Sequence, residues 1–358
     1  MKRKLLRNFR WRRDADKQGP REMAVIELLP RGSRVLSFSR CNNGLFCEAE
    51  PFVKIDDPET TNSELLRQVL SESSLHCPYV SIILNRGHGV VRLVNLKNEA
   101  AEGEAGEDIA EQIRESIGVE EGWQLAYDFI STETENNSEG EADQAVVTAL
   151  PEDETNALYE VIEEAGFRPV SLTLSAATLV NMAESSKSLL RNDKAVGFLE
   201  ISDNSSVLLL FINEKLVLVR QFRTGTQNFI KTIMDTYGLD SETAEKLLAS
   251  GSFDFSGNLG DDLRSWLRQL GISLNFVERK YGSHVNKIYT LERMHGVQTL
   301  EGFLNDQLDA EVVSWDLSEA YSEIEESCLP DRNQYAGFSL AFCEGKRIMM
   351  EQEVNEDV

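Results

Sequence analysis

Long apolar runs, paired cysteines and spaced metal ligands are all missing from this 358-residue chain. No apolar run approaches the roughly 18 residues that a membrane-spanning helix needs, and the N-terminus lacks the apolar stretch of a signal peptide. The five cysteines are scattered without a Cys-x-x-Cys pair, and the four histidines show no ligand spacing. These absences indicate reduced thiols in a cytoplasm and argue against a metal site.

Basic residues are also in short supply, because 36 Lys and Arg stand against 61 Asp and Glu and the net charge is −25. Such a surface repels a phosphate backbone, so we expect no nucleic-acid partner for the body of the protein. The first 13 residues are the exception, with seven bases and no acid. Residues 1–20 are therefore a flexible basic tail, or one that rests on an anionic membrane surface with its apolar side chains Leu5, Leu6, Phe9 and Trp11.

Familiar catalytic motifs are missing as well. The chain has no Gly-x-x-x-x-Gly-Lys, Gly-x-Ser-x-Gly or His-Glu-x-x-His. His295 has no matched nucleophile, so we interpret it as an ordinary loop residue. "RGHG" at 86–89 is interpreted as a hairpin turn, with anion binding by its amides as the alternative. For Arg220 and Arg223, two interpretations stay open: surface charges paired with acids, or contacts to a phosphate or carboxylate.

One pattern organises the predicted elements of this α/β chain. Three short antiparallel strands and a helix are predicted at 23–72 and again at 195–237. In both copies the first strand ends apolar–Glu–apolar, with Glu27 in the first and Glu200 in the second. Such a repeat predicts a duplicated fold with two similar lobes, and ligands in such folds often occupy the cleft between lobes.

The second half of the chain resembles a known family. The similarity is carried by the order of four pieces within 151–308 and 335–343: Arg220 to Gly225, the helix start "TAEK" at 243–246, "SLNF" at 273–276 and the closing "YAGFSLAF". Together they resemble the type IV pilus assembly protein PilM family, whose members are actin-like and akin to the cell-division protein FtsA.

This resemblance implies an actin-like (RNase H-like), duplicated two-lobed fold with an insertion subdomain. We expect a first lobe over 21–170 that includes the insertion at about 75–150. We expect a second lobe over 171–347, followed by an acidic tail at 348–358.

The first hairpin departs from the family's nucleotide-binding pattern, which is Asp-Ile-Gly followed by small residues and a lysine. Here Glu27, Leu28 and Leu29 occupy the first positions, and Arg34 stands where the lysine would be. Pro30 also removes a backbone donor from the turn. Since glycine lets a phosphate approach backbone N–H groups, its loss weakens this turn as a phosphate site.

The other contact regions depart too. The second Asp-Ile-Gly becomes Glu200-Ile201-Ser202, and Ser202, Asn204 and Gly225 are the other positions of the degenerate nucleotide cleft. Near the adenine, the family's Gly-Gly pair becomes 292–294 "ERM", and its helical Glu-Ile-x-Arg-Ser becomes 269–273 "QLGIS". With glycine lost at three regions, the nucleotide cleft is predicted to be degenerate.

The resemblance implies a non-catalytic cytoplasmic scaffold, peripheral at the inner membrane, which binds the cytoplasmic tail of a PilN-like membrane protein. No cofactor is expected, although ATP with Mg²⁺ is the alternative. One rival hypothesis is an ATP-binding switch that uses Glu27, Arg34 and Glu200. Another is a scaffold like GspL of type II secretion. GspL continues into a membrane span, so the pilus interpretation is favoured if this chain is complete.

Overall fold

The computed structural model describes residues 9–10, 20–41, 44–55, 57, 59–86, 89–96, 106–130, 143–191, 195–251, 253, 255, 260–292, 299–315 and 335–350. The chain divides into two compact units. The first holds the described residues up to Asn181 and those from Leu340 onward, and the second holds those from Met182 to Ser339.

The described strands are β1 (Phe9–Arg10), β2 (Glu22–Leu29), β3 (Gly32–Cys41), β4 (Gly44–Ala49), β5 (Val53–Lys54), β6 (Tyr79–Leu84), β7 (Val90–Leu96), β8 (Trp123–Ile130), β9 (Asp143–Pro151), β10 (Arg168–Leu174), β11 (Ala195–Ile201), β12 (Ser206–Ile212), β13 (Lys215–Phe222), β14 (Val285–Glu292) and β15 (Glu311–Ser314). The described helices are α1 (Asn62–Glu72), α2 (Gly106–Ile117), α3 (Glu152–Glu164), α4 (Ser175–Ser185), α5 (Lys187–Leu190), α6 (Thr226–Tyr237), α7 (Ser241–Ala249), α8 (Asp261–Tyr281), α9 (Thr299–Gln307) and α10 (Tyr335–Met350).

The main sheet of the first unit follows the order β1-β10-β6-β2-β3-β4, and β5 pairs with β3. Strands β2, β3 and β4 form an antiparallel meander, whereas β6 runs parallel to both β2 and β10. Helix α1 begins with a capping box, because Thr61 accepts from the amide of Glu64 and the Glu64 carboxylate accepts from Thr61. Its apolar side chains, at helical spacing, are buried in the same unit: Leu65, Leu66, Val69 and Leu70.

The predicted insertion subdomain is a separate three-stranded sheet of order β7-β9-β8, with α2 beside it. Its small core joins Ile109 and Ile113 of α2 to strand residues such as Val147. The subdomain begins after Leu84, because β6 belongs to the main sheet. The prediction of a hairpin turn at 86–89 is wrong, because the strands on either side, β6 and β7, lie in different sheets.

The sheet of the second unit follows the order β13-β12-β11-β14-β15. Strand β11 is antiparallel to β12 and parallel to β14, just as β2 is antiparallel to β3 and parallel to β6. The prediction of a duplicated β-β-β-α unit is therefore confirmed. The core of this unit centres on Phe229, Phe255 and Trp266, and the indole of Trp266 donates to the Ser206 hydroxyl at 2.9 Å.

The compact units do not follow the lobe boundaries that we expected. Residues 171–174 were assigned to the second lobe, yet they belong to β10, which pairs with β6 in the first sheet. The end of α10, from Leu340, also joins the first unit. At the N-terminus, Phe9 and Arg10 were placed in a flexible tail, but they form β1 against Leu172 and Ser171. Contacts between segments distant in the sequence decide each case.

None of the helices in the described stretches is long and apolar enough to span a membrane. The acidic tail predicted at 348–358 falls mostly outside the described residues, and Ile348 to Met350 are the last residues of α10.

Candidate functional site

The first candidate hairpin joins β2 to β3 through Pro30 and Arg31, and its closing pair is Leu29 with Gly32. Gly32 has a φ of +153°, and a Cβ there would come within 2.1 Å of the Val53 carbonyl oxygen. The carbonyl of Arg31 also accepts from the amide of Ile55 at 3.1 Å. The chain around β5 therefore covers the turn. Glycine is required at position 32 because the Val53 carbonyl leaves no room for a side chain.

Glu27 and Arg34 are brought together in this hairpin as cross-strand partners. Glu27 is completely buried, and it is also the neighbour of Ile83 in the parallel strand β6. Arg34 is half-buried. Neighbouring cross-strand positions lie close enough for opposite charges to attract each other. These two candidate cleft positions therefore lie side by side within the first unit.

The second candidate hairpin lies in the second unit, where Ser202 to Ser205 connect β11 to β12. Glu200 and Ser202 are buried and Asn204 is exposed at the turn. The amide of Ser202 donates to the carbonyl of Ser205 at 2.9 Å, which closes the turn. Gly225, another candidate position, is packed against this turn, since a Cβ there would come within 2.4 Å of the Ser202 carbonyl oxygen.

The N-terminus of α6 is packed directly on this turn. Thr226 donates its amide to the Ser202 carbonyl at 2.9 Å, and Gln227 donates to the Asp203 carbonyl at 2.9 Å. The next amide, of Asn228, donates to the Gly225 carbonyl at 3.0 Å. A helix N-terminus binds anions through its first N–H groups, but here these three already have protein acceptors.

Arg220, for which two roles were open, makes contacts inside the second unit. Its guanidinium donates to the Ser273 hydroxyl at 2.8 Å and to the Gln269 carbonyl at 3.5 Å, and it lies 5.3 Å from the centre of the Phe222 ring. These contacts connect β13 to α8. Neither interpretation of Arg220, an acid pair or a ligand contact, describes them.

The remaining candidate positions do not extend either hairpin site. Arg86 donates to the Thr60 carbonyl at 2.6 Å; burial lowers the pKa of its guanidinium, while the Glu154 carboxylate raises it. His295 and most of 292–294 lie outside the described residues. Within the part of the chain that the structure describes, no group of three or more His, Cys, Asp or Glu side chains is placed to hold a metal ion.

Two features of the first unit were missed from the sequence. One is the edge of β10, which receives the short strand β1. The other is a buried polar cluster in which Ser171 donates to the Glu344 carboxylate at 2.9 Å and Arg347 is paired with the same carboxylate. Opposite charges three residues apart in the otherwise apolar helix at 335–350 were the available signal for the second feature.

Comparison with curated protein sequences finds no match. Comparison with protein families gives a match over residues 53–265, more than half of the chain, to the family described as type IV pilus assembly protein PilM. Among solved structures, the chain is similar to the PilM-PilN type IV pilus biogenesis complex. The TM-score is 0.67 at 18% sequence identity, with 92% of this chain and 99% of that chain covered.

A second similar structure is a protein from Bacteroides thetaiotaomicron with an actin-like ATPase fold and unknown function. Its TM-score is 0.51 at 10% identity, and 86% of this chain and 97% of that chain are covered. These structural similarities and the duplicated sheets establish the actin-like fold. With the sequence match over 53–265, they show that the chain belongs to the type IV pilus assembly protein PilM family.

Proposed function

We propose that this protein is a non-catalytic scaffold of the type IV pilus inner-membrane assembly complex. It binds the extended cytoplasmic tail of a PilN-like membrane protein and is held at the cytoplasmic face of the membrane. Family membership supports the pilus role, and the similarity to a PilM-PilN complex supports this kind of partner.

The observation that carries the proposal is the edge of the main sheet at β10. Strand β1 pairs there in the antiparallel direction, with Phe9 opposite Leu172 and Arg10 opposite Ser171, and it also contacts β8 of the insertion subdomain. An exposed strand edge offers unpaired backbone groups to any extended segment. This edge accepts such a segment from the protein's own N-terminus, and a partner's tail would add in the same manner.

The absence of catalysis is proposed from the two hairpins. Leu29 and Ser202 stand where the family has glycine, and Pro30 offers no N–H group. In addition, the first amides of α6 donate to protein carbonyls. One observation favours the rival, an ATP-binding switch: Glu27 and Glu200 each keep a buried carboxylate at the end of the first strand of a repeat.

The partner is tested with a fluorescent synthetic peptide of a PilN-like cytoplasmic tail, titrated with the full-length protein. A double variant, Phe9→Pro/Arg10→Pro, disrupts β1 because proline cannot donate to a strand ladder. We expect the peptide to bind this variant about tenfold more tightly, corresponding to the relief of ~1.4 kcal/mol of competition. Because the alteration lies in a terminal two-residue strand, the thermal midpoint should change little.

A scrambled peptide of the same composition is the control for charge alone, since the tail meets a strongly acidic protein. Equal binding of the scrambled and native peptides contradicts recognition of a tail sequence. Unchanged affinity in the proline variant contradicts the β10 edge as the site, although binding elsewhere would leave the scaffold role standing.

Nucleotide binding, without which ATP cannot be hydrolysed, is tested by thermal unfolding with and without Mg·ATP. A ligand at about 100 times its dissociation constant adds ~2.7 kcal/mol, which is a shift of several degrees in a protein of this size. We expect no shift. A shift that Glu200→Ala abolishes establishes the nucleotide switch instead.

A further inference from the structure

The second half of α8 presents an exposed face that combines apolar and basic side chains. Ile272 is 52% exposed and Phe276 is 45% exposed, and they lie one turn apart. Arg268 precedes Ile272 by one turn, and Arg279 follows Phe276 by three residues, so all four lie along one side of the helix. The opposite side is buried in the core of the second unit through Leu263, Trp266, Leu270, Ser273 and Val277.

Within the described part of the chain, the arginines of this face form no ion pair. Among the residues that the structure describes, Arg268 and Arg279 have no acidic partner within 4.0 Å. Lys280 lies 5.6 Å from the centre of the Phe276 ring and 5.0 Å from that of Tyr281, which is 37% exposed. In a chain with 61 acids and 36 bases, a helix face without acid pairing is a local reversal of charge.

The acids of α8 lie apart from this face or are engaged. In the first turn of the helix, Asp261 is paired with Arg264 at 3.7 Å and Asp262 accepts from the side-chain amide of Asn228 at 3.4 Å. Glu278 is 3.5 Å from the ring of His284, and it lies on the side of the helix away from Ile272 and Phe276. The exposed face from Arg268 to Lys280 is therefore positive and partly apolar along about three helical turns.

We propose that this α8 face, formed by Arg268, Ile272, Phe276, Arg279 and Lys280, docks on an anionic membrane surface. Basic residues beside exposed apolar side chains are the pattern of helices that lie in the lipid interface. Each cation held near an anionic surface contributes about a fivefold gain in partitioning.

Charge complementarity is the reason for proposing an anionic membrane as the surface that contacts this face. A body of net charge −25 is repelled by anionic lipid, so contact is possible only through a face whose own charge is positive. Screening over about 8 Å at physiological salt keeps the remote acids from cancelling that local attraction. This inference rests on the proposed position beside the membrane, but it involves neither β1 nor the partner tail.

The test is co-sedimentation of the full-length protein with vesicles of phosphatidylglycerol and phosphatidylcholine in equal parts, compared with phosphatidylcholine alone. We compare the wild type with an apolar variant, Ile272→Ser/Phe276→Ser, and a charge variant, Arg268→Gln/Arg279→Gln. A matched control is Tyr237→Ser, because Tyr237 is 59% exposed on α6 of the same unit. All altered side chains are at the surface, and thermal midpoints verify folding.

We expect the wild type and Tyr237→Ser to bind only the anionic vesicles, and we expect both α8 variants to bind at least about tenfold more weakly, with salt reducing all binding. Wild-type binding by both α8 variants overturns the proposal and assigns lipid contact to another segment, such as the basic residues 2–13. No binding by the wild type also overturns it. If Ile272→Ser/Phe276→Ser then lowers the sedimentation coefficient, a second copy covers the face instead.

Discussion

Arg347 forms a bidentate ion pair with Glu344, which lies one turn earlier in α10. The distances are 2.8 Å from Nη2 to Oε1 and 3.0 Å from Nε to Oε2. Both side chains are buried in the first unit. The same carboxylate accepts the hydroxyl of Ser171, which is 2.6 Å from the hydroxyl of Ser81. The C-terminal helix is thus connected to β10 and β6 by a continuous buried polar network, which restricts how the helix packs.

This network predicts an asymmetric mutational result. Glu344→Leu leaves the Arg347 charge buried without its partner and should destabilise the protein by about 3–5 kcal/mol. The double variant Glu344→Leu/Arg347→Met replaces both charges with apolar groups and should recover most of that loss. Urea unfolding followed by circular dichroism measures both. A double variant as unstable as the single one would show that the pair itself, rather than the uncompensated charge, determines stability.

The contact of α6 with the second hairpin predicts that Gly225 cannot be replaced. In Gly225→Ala the new Cβ meets backbone atoms of Ser202, Asp203 and Ser205 at 2.4 to 2.6 Å, so the helix or the turn must move. We expect a loss of about 1–3 kcal/mol from overpacking. The thermal midpoint is the measurement.

Gly271→Ala is the matched control for that experiment. Gly271 lies in α8 with nothing within 4 Å of a new Cβ. Because alanine favours a helix by about 1 kcal/mol over glycine, this variant should unfold at a higher temperature. Equal effects of the two substitutions would rule out close approach as the reason for glycine at 225.

The thiol of Cys77 should react slowly at ordinary pH. Burial raises its pKa to about 11, with smaller contributions from Glu22 and Glu50. Since a raised pKa keeps the unreactive thiol form, labelling at pH 8 should be about 100-fold slower than for a thiol of pKa 9.0 and should accelerate toward pH 11. Thiol titration of wild type and Cys77→Ser identifies the slow phase; its absence from the wild type contradicts the prediction.

If Arg220 connects β13 to α8 through Ser273, the effects of replacing them should not add. Arg220→Met and Ser273→Ala should each lower the thermal midpoint, and the double variant should be no less stable than Arg220→Met alone. Additive losses would show that Arg220 acts through other groups, and rescue by Arg220→Lys would show that charge alone suffices.

The repeated hairpins were predictable because their signals are local. Apolar–Glu–apolar endings at Glu27 and Glu200, followed by turn residues, fix both the strands and their antiparallel neighbours. The same local hairpin geometry puts Arg34 opposite Glu27. Hairpin register depends on a few adjacent residues, so it can be inferred without knowing the rest of the fold.

Features that depend on distant segments could not be predicted in this way. Nothing local to 86–89 indicates that the strands on either side enter different sheets. Likewise, the amides of α6 resemble a free anion site until the Ser202 and Asp203 carbonyls are brought to them. The pairing of β1 with β10 joins segments some 160 residues apart, and two residues carry no recognisable strand pattern.

The attachment of β1 at the β10 edge also has a consequence for how pilus assembly would be timed. Because β1 belongs to the same chain, its effective concentration at that edge is fixed by the length of the connecting residues and does not vary with the amount of protein in the cell. A membrane partner's tail, by contrast, competes at a level set by its own abundance in the membrane. If the two compete as proposed, self-pairing of β1 raises by a constant factor the partner density needed for half-occupancy, so the N-terminus would set how much partner must be inserted before the edge is filled.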